Sequence, residues 1–96
     1  MYRDDPLDDE AELRELLGDA DVDRLVAADR GRTHTPLEAA LDVLRVLQGW
    51  VPDEQAARWL VTPQRRLQGA QPVDALCAGG YDEVADAARA WAAAQG

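Results

Sequence analysis

Thr35-Pro36-Leu37-Glu38-Ala39-Ala40-Leu41-Asp42-Val43-Leu44-Arg45-Val46-Leu47-Gln48 is the stretch that decides the fold. A threonine hydroxyl accepts from the free N–H groups of a helix's first turn. Proline fits the first helical position, where no N–H is needed. A glutamate three residues after the threonine completes a capping box. The spacing therefore predicts a helix that starts at Thr35 and runs to about Gln48 and Gly49. Leu37, Ala40, Leu41, Leu44 and Leu47 make one apolar stripe along it. Val43, Val46 and Trp50 make a second stripe beside the first. So wide an apolar face belongs to a central, largely buried helix, and Trp50 is expected in the core.

Downstream the same punctuation recurs. Pro52-Asp53-Glu54 opens a helix with Ala56, Ala57, Trp59, Leu60 and Val61 as candidate core. Trp59 suits the core beside Leu60, with partner anchoring as the other use of such a ring. Thr62-Pro63 repeats the cap-plus-proline start for a short turn carrying Gln64, Arg65, Arg66 and Leu67, and Gly69 breaks it. Gln71-Pro72 opens a short helix through Leu76, which Gly79-Gly80 ends. Asp82 is placed to cap a last helix, with Val84, Ala85, Ala88, Trp91 and Ala92 facing inward.

Upstream the pattern is weaker. Residues 1–7 read as a frayed start. Asp8 or Asp9 can cap a helix through Leu17, with Leu13, Leu16 and Leu17 as its apolar stripe and Gly18 as its stop. Val22, Leu25 and Val26 fit a short helix by their spacing, or a short strand, and Arg30-Gly31-Arg32-Thr33-His34 reads as a loop. Connections are short throughout. The expected fold is all-α, a compact bundle of four to six short helices, with residues 1–35 an acidic helical segment and 36–96 the principal helical domain.

Composition narrows the function. The chain has 96 residues, one cysteine, one histidine, no serine and no lysine. Cys77 lies in an apolar helical context and, alone, makes neither an internal disulfide nor a cysteine-based zinc site; His34 is equally isolated. Without serine there is no serine nucleophile. The carboxylates at helix starts have a sufficient role in capping. No catalytic grouping emerges, so an enzyme is not expected, and no cofactor is implied. An acidic start without an apolar run gives no signal peptide, and no apolar stretch reaches membrane-spanning length, so a cytoplasmic protein is expected.

The formal net charge is −9. Residues 1–30 contain eleven acidic and four basic groups, a net of −7; residues 31–96 contain eight and six, a net of −2. Nucleic acid is bound chiefly through cations on phosphates, so a chain this acidic suits a basic protein surface better.

The stretch Trp59-Leu60-Val61-Thr62-Pro63-Gln64-Arg65-Arg66-Leu67-Gln68-Gly69-Ala70-Gln71-Pro72-Val73-Asp74-Ala75-Leu76 resembles the toxin-binding domain of Xre/MbcA/ParS-type antitoxins. That domain reads as an aromatic-leucine pair, a Thr-Pro or similar turn, then Leu-Gly-Gly-x-x-Pro-Leu-Glu/Asp-x-Leu. A Gly-containing turn and a final amphipathic helix follow, places filled here by Gly79–Val84 and Val84–Ala94. The likeness spans residues 36–96. Gln68 departs from it, standing where the family often has its first glycine. A second departure is upstream, because the stretch before Thr35 is too short and too acidic for the DNA-binding helix-turn-helix of many relatives.

The resemblance implies an antitoxin of a type II toxin–antitoxin system, bound in a hetero-oligomer to a co-encoded RES-domain, NAD-consuming toxin and covering its active site with the C-terminal helices and tail. The residues put forward for partner binding are Arg89 and Trp91, the only large groups from 87 to 94, Gln95 and Gly96 of the slim chain end, and Arg65 and Arg66 beside the Thr-Pro turn. Trp91 suits a core place as well as an anchor. Arg65 and Arg66 suit solvated surface as well as contact. Arg89 can reach a partner's carboxylates or pair with Asp86 or Asp82 on its own helix. A fragment of a transcriptional regulator and an oligomerising adaptor are the other functional classes. The charge balance makes one expectation testable at once. The isolated chain should show no gel shift on duplex DNA that survives competitor at physiological salt, and such a shift would remove the charge argument.

Overall fold

The expected capping box forms. In the computed structural model, which describes residues 6–29, 31 and 33–95, the Glu38 N–H donates to Thr35 Oγ1 at 3.1 Å and the Thr35 N–H donates to Glu38 Oε1 at 2.9 Å. These bonds hold the Glu38 carboxyl below its usual range, chiefly through the Thr35 backbone donor. A lowered carboxyl stabilises the fold above its unfolded value and loses that contribution as pH falls through the lowered one.

The helix that follows, α3 (Pro36–Gln48), is preceded by α1 (Pro6–Leu17) and α2 (Asp19–Ala27). After it come α4 (Asp53–Leu60), a 3-10 turn (Arg65–Leu67), α5 (Pro72–Cys77) and α6 (Tyr81–Gln95). There is no strand among the described residues. The all-α bundle of six helices is thus as the periodicity predicts. Val22 and Leu25 of α2 are fully buried, so residues 19–27 are the helix of the two alternatives. No helix of the described residues is long and apolar enough to cross a membrane.

α3 lies in the middle, touching α1, α2, α4, α5 and α6. Ala40, Leu44 and Leu47 have no exposed surface. Leu13 of α1, Leu60 of α4, Leu76 of α5 and Val84 of α6 are sealed into the same cluster. The hydrophobic cluster therefore runs continuously across residue 35. Polar links reinforce the attachment of the N-terminal helices. Arg45 reaches Glu12 at 3.2 Å, Arg24 pairs with Asp74 of α5, and Arg14 holds Glu10, Asp19 and Asp23 within 3.3 Å at the α1–α2 corner.

Several expectations shift. Trp50 is 56 % exposed instead of buried, and Val46 on the same stripe is 39 % exposed. Val46 lines an open groove between α3 and α6, and α3 ends at Gln48 with its cap at Gly49, so Trp50 lies beyond the buried stripe of the helix. Leu41 is only half-buried. α1 begins at Pro6, ahead of the anticipated cap at Asp8 or Asp9. Thr62 does not start the 3-10 turn; its Oγ1 donates back to the Arg58 carbonyl at 2.6 Å and closes α4. α6 begins at Tyr81, so Asp82 lies in its first turn and is not its cap. The expected frayed start falls mainly on residues 1–5, outside the described set, as do Arg30 and Arg32 of the expected loop.

Gln68 adopts φ 56° and ψ 35°, the left-handed conformation, and Gly69 follows at φ 85°. A non-glycine residue pays there in steric crowding between its Cβ and the backbone. Two substitutions bracket this account in a urea titration. Leu44→Ala should lower the unfolding free energy by about 2–5 kcal/mol, as for a fully buried leucine. Gln68→Gly should leave it unchanged or raise it by up to about 1 kcal/mol. An unmoved midpoint for Leu44→Ala would put α3 outside the core, and a large loss for Gln68→Gly would remove the strain argument.

Candidate partner-binding groove

The segment from Trp59 to Ala70 closes on itself around Gln64. The Gln64 N–H donates to the Ala70 carbonyl at 3.0 Å, and its own carbonyl accepts from Leu67 and Gly69. Its side-chain Nε2 donates to the Thr62 carbonyl at 2.9 Å and, at 3.4 Å, to that of Trp59. These bonds occupy the backbone groups left over between α4 and α5, and they set the turn as a firm ridge packed against α6.

Between this ridge and α6 lies an open groove of about 710 Å³. Its walls come from Pro52, Arg58 and Trp59 of the α4 region, Pro63 and Gln64 of the turn, and Trp91 of α6. Asp53 and Glu54 line it as well. Trp59 and Trp91 pack ring to ring, centroids 6.1 Å apart and tilted 38°. Trp59 is buried to all but 3 % and belongs to the core, as expected. Trp91 packs against the core cluster and stays half-exposed in the groove. Trp59 Nε1 is buried and finds no acceptor. A buried donor without a partner keeps its desolvation penalty.

The expected contact residues separate. Arg89 and Trp91 are two positions apart, about 200° of helix rotation. Trp91 enters the groove beside α4, whereas Arg89 lies on the opposite flank, beside α3, paired with Asp86 at 3.1 Å. They do not form one anchor. Arg65 and Arg66 are exposed on the 3-10 turn, and Arg66 lines a separate cleft with Gly80 and Glu83. Gln95 is exposed and donates to the Trp91 carbonyl at 3.2 Å, closing the last turn. Gly96 lies outside the described residues. Arg58, Arg65 and Arg66 have no carboxylate partner among the described residues.

Arg58 and Gln64 were not among the residues singled out from the sequence. Arg58 carried no local signal apart from its place one residue before Trp59. Gln64 did carry one, as the polar residue that follows Thr-Pro and precedes the 3-10 turn.

The groove lining has no cysteine or histidine. The Cys77 thiol donates to the Arg24 carbonyl, and burial pushes its pKa up, away from reactivity. His34 sits on the far side of α6, 3.3 Å from Asp42 and edge-on to Tyr81, whose hydroxyl donates to the His34 carbonyl at 3.1 Å. No cluster of metal-ligating side chains occurs among the described residues. Comparison with protein-family models, with curated proteins and with solved structures finds no match.

The unpartnered Trp59 donor can be probed by thermal unfolding. Trp59→Ala should cost about 3–5 kcal/mol. Trp59→Phe should cost roughly half of that or less, because removing the donor offsets about 1–3 kcal/mol of desolvation. Equal losses would show that the indole nitrogen is satisfied in solution.

Proposed function

We propose that this chain is the neutralising subunit of a toxin–antitoxin pair and that it binds its partner through the Trp91 groove. One observation carries the proposal. Trp59, Thr62, Pro63 and Gln64, from the stretch 59–76 whose order resembles the toxin-binding domain of Xre/MbcA/ParS-type antitoxins, line the groove together with Trp91. Gln68, at the place of that family's first glycine, takes the left-handed conformation that favours glycine there.

The chemistry is that of docking. Trp91 offers a large, partly exposed ring already held in place by the core, so little side-chain freedom is lost on binding. Arg58, Arg65 and Arg66 offer guanidinium groups not committed to internal pairs, suited to carboxylates on a partner. On the family likeness the partner is a RES-domain enzyme that consumes NAD, in a cytoplasmic hetero-oligomer. The NAD chemistry is the partner's. This chain covers the entrance.

Truncating α6 is a poor test, since Ala87, Ala88 and Ala92 are buried and the fold would suffer with the function. Point substitution is cleaner. The product of the adjacent reading frame is induced alone, with this chain, and with Trp91→Ala or Arg89→Ala variants shown to be folded by circular dichroism. NAD level and growth are followed. The partner alone should deplete NAD, and the wild-type chain should restore it. In purified inhibition, Trp91→Ala should weaken binding by about tenfold or more, and Arg89→Ala by much less. A partner that the chain does not restrain, or a folded Trp91→Ala variant that protects fully, would overturn the proposal.

A further inference from the structure

We infer that the opposite flank of α6 forms a second docking surface, a groove against α3 that receives a basic amphipathic helix of a partner protein. The groove encloses about 260 Å³. Ala39 and Val43 of α3 and Ala85 and Ala88 of α6 form its floor. Val46 stands at one end, 39 % exposed, and Trp50 lies one turn further along the chain, 56 % exposed. Positions 39, 43 and 46 follow one another at helical spacing along α3, and Trp50 stands just beyond the helix end at Gln48. Val46 and Trp50 are two of the three large hydrophobic residues that the described fold leaves exposed. Single exposed apolar side chains need no explanation, whereas Val46 lines an apolar groove and a second exposed residue, Trp50, follows it four residues later.

The rim says what covers it. Asp42 and Asp82 line the groove with Arg89, and two further carboxylates stand behind them, Asp86 against Arg89 and Glu38 3.9 Å from His34. Arg89 is engaged by Asp86, and the Asp42 carboxylate is 73 % exposed. Such a rim repels phosphates. A second copy of this chain would bring two acidic rims together within molecules that each carry −9. A helix with leucine-type side chains on one face and lysine or arginine beside them meets both features, filling the floor and neutralising the rim. The surface does not depend on the toxin-neutralising proposal. It uses the other side of α6 and leaves the Trp91 groove open.

The probe is a synthetic helix of about 18 residues with leucine at i, i+3, i+4 and i+7 spacing and lysine elsewhere. Its control has glutamate in place of lysine. Binding to the full chain is measured by titration calorimetry at physiological salt and at higher salt. The lysine peptide should bind one to one and the glutamate peptide should not. The double variant Val46→Gln, Trp50→Gln, both exposed positions, should weaken binding by about tenfold or more. Asp42→Asn with Asp82→Asn should weaken it and flatten the salt dependence. Trp91→Ala should leave it unchanged. Equal binding of the two peptides, or full affinity in the Val46/Trp50 variant, would overturn the inference. So would a sedimenting dimer of the wild-type chain that Trp50→Gln dissolves, which would make the occupant a second copy.

Discussion

Burial of one helix on nearly all sides is the constraint from which this molecule follows. α3 meets five other helices, and its Ala40, Leu44 and Leu47 have no contact with water. A helix so enclosed must start at a defined residue, because a shift by one position turns its stripes by about 100° and puts Asp42 or Arg45 into the core. The Thr35–Glu38 capping box fixes that start. Pro36 adds to it, since its ring sets the backbone angle of the first turn. No polar or charged residue is buried in the described core, so the bundle rests on apolar packing and its charge stays outside.

The same constraint explains the two grooves. α6 packs on the core through alanines and Val84, which buries its axis without filling the space beside it. On the α4 side, Trp91 and the Gln64-centred turn stand up around an opening. On the α3 side, Val46 of the last turn and Trp50 just beyond it stay exposed. The acidic N-terminal helices contribute differently. Leu13, Val22 and Leu25 complete the core, while Arg14 gathers three of the surrounding carboxylates and Arg24 ties α2 to α5. The negative charge is thereby held on a structured surface, suited to steering a cationic partner.

Helix starts were legible because they are local. A threonine, a proline and a glutamate at fixed spacing decide the beginning of α3 without reference to anything distant, and prolines mark α5 in the same way. Burial of Leu44, Leu47, Leu60, Leu67, Leu76 and Val84 followed from periodicity. Periodicity could not say where α3 ends, so it carried the buried stripe on to Trp50, which lies beyond the last helical residue, Gln48. The grooves were not legible for a related reason. Trp91 and Arg89 look like one anchor pair in a run of alanines, and only the position of α6 between α4 and α3 sends them to opposite flanks. Gln64 acts through backbone groups of a turn whose closure is a tertiary event. The residues around the Thr-Pro turn were legible as a pattern by resemblance, and their geometry as a groove wall was not.

The claim at the centre is that a partner enzyme is held by the α4-side flank of α6 and not by the α3 side. Hydrogen exchange of the chain, read by mass spectrometry with and without the purified product of the adjacent reading frame, tests it directly. The account predicts added protection in residues 58–70 and in the C-terminal turns of α6 around Trp91, with the last turn of α3 and Trp50 exchanging as in the free chain. Protection confined to residues 39–50 and the first turns of α6, with the Trp91 groove unchanged, would contradict it.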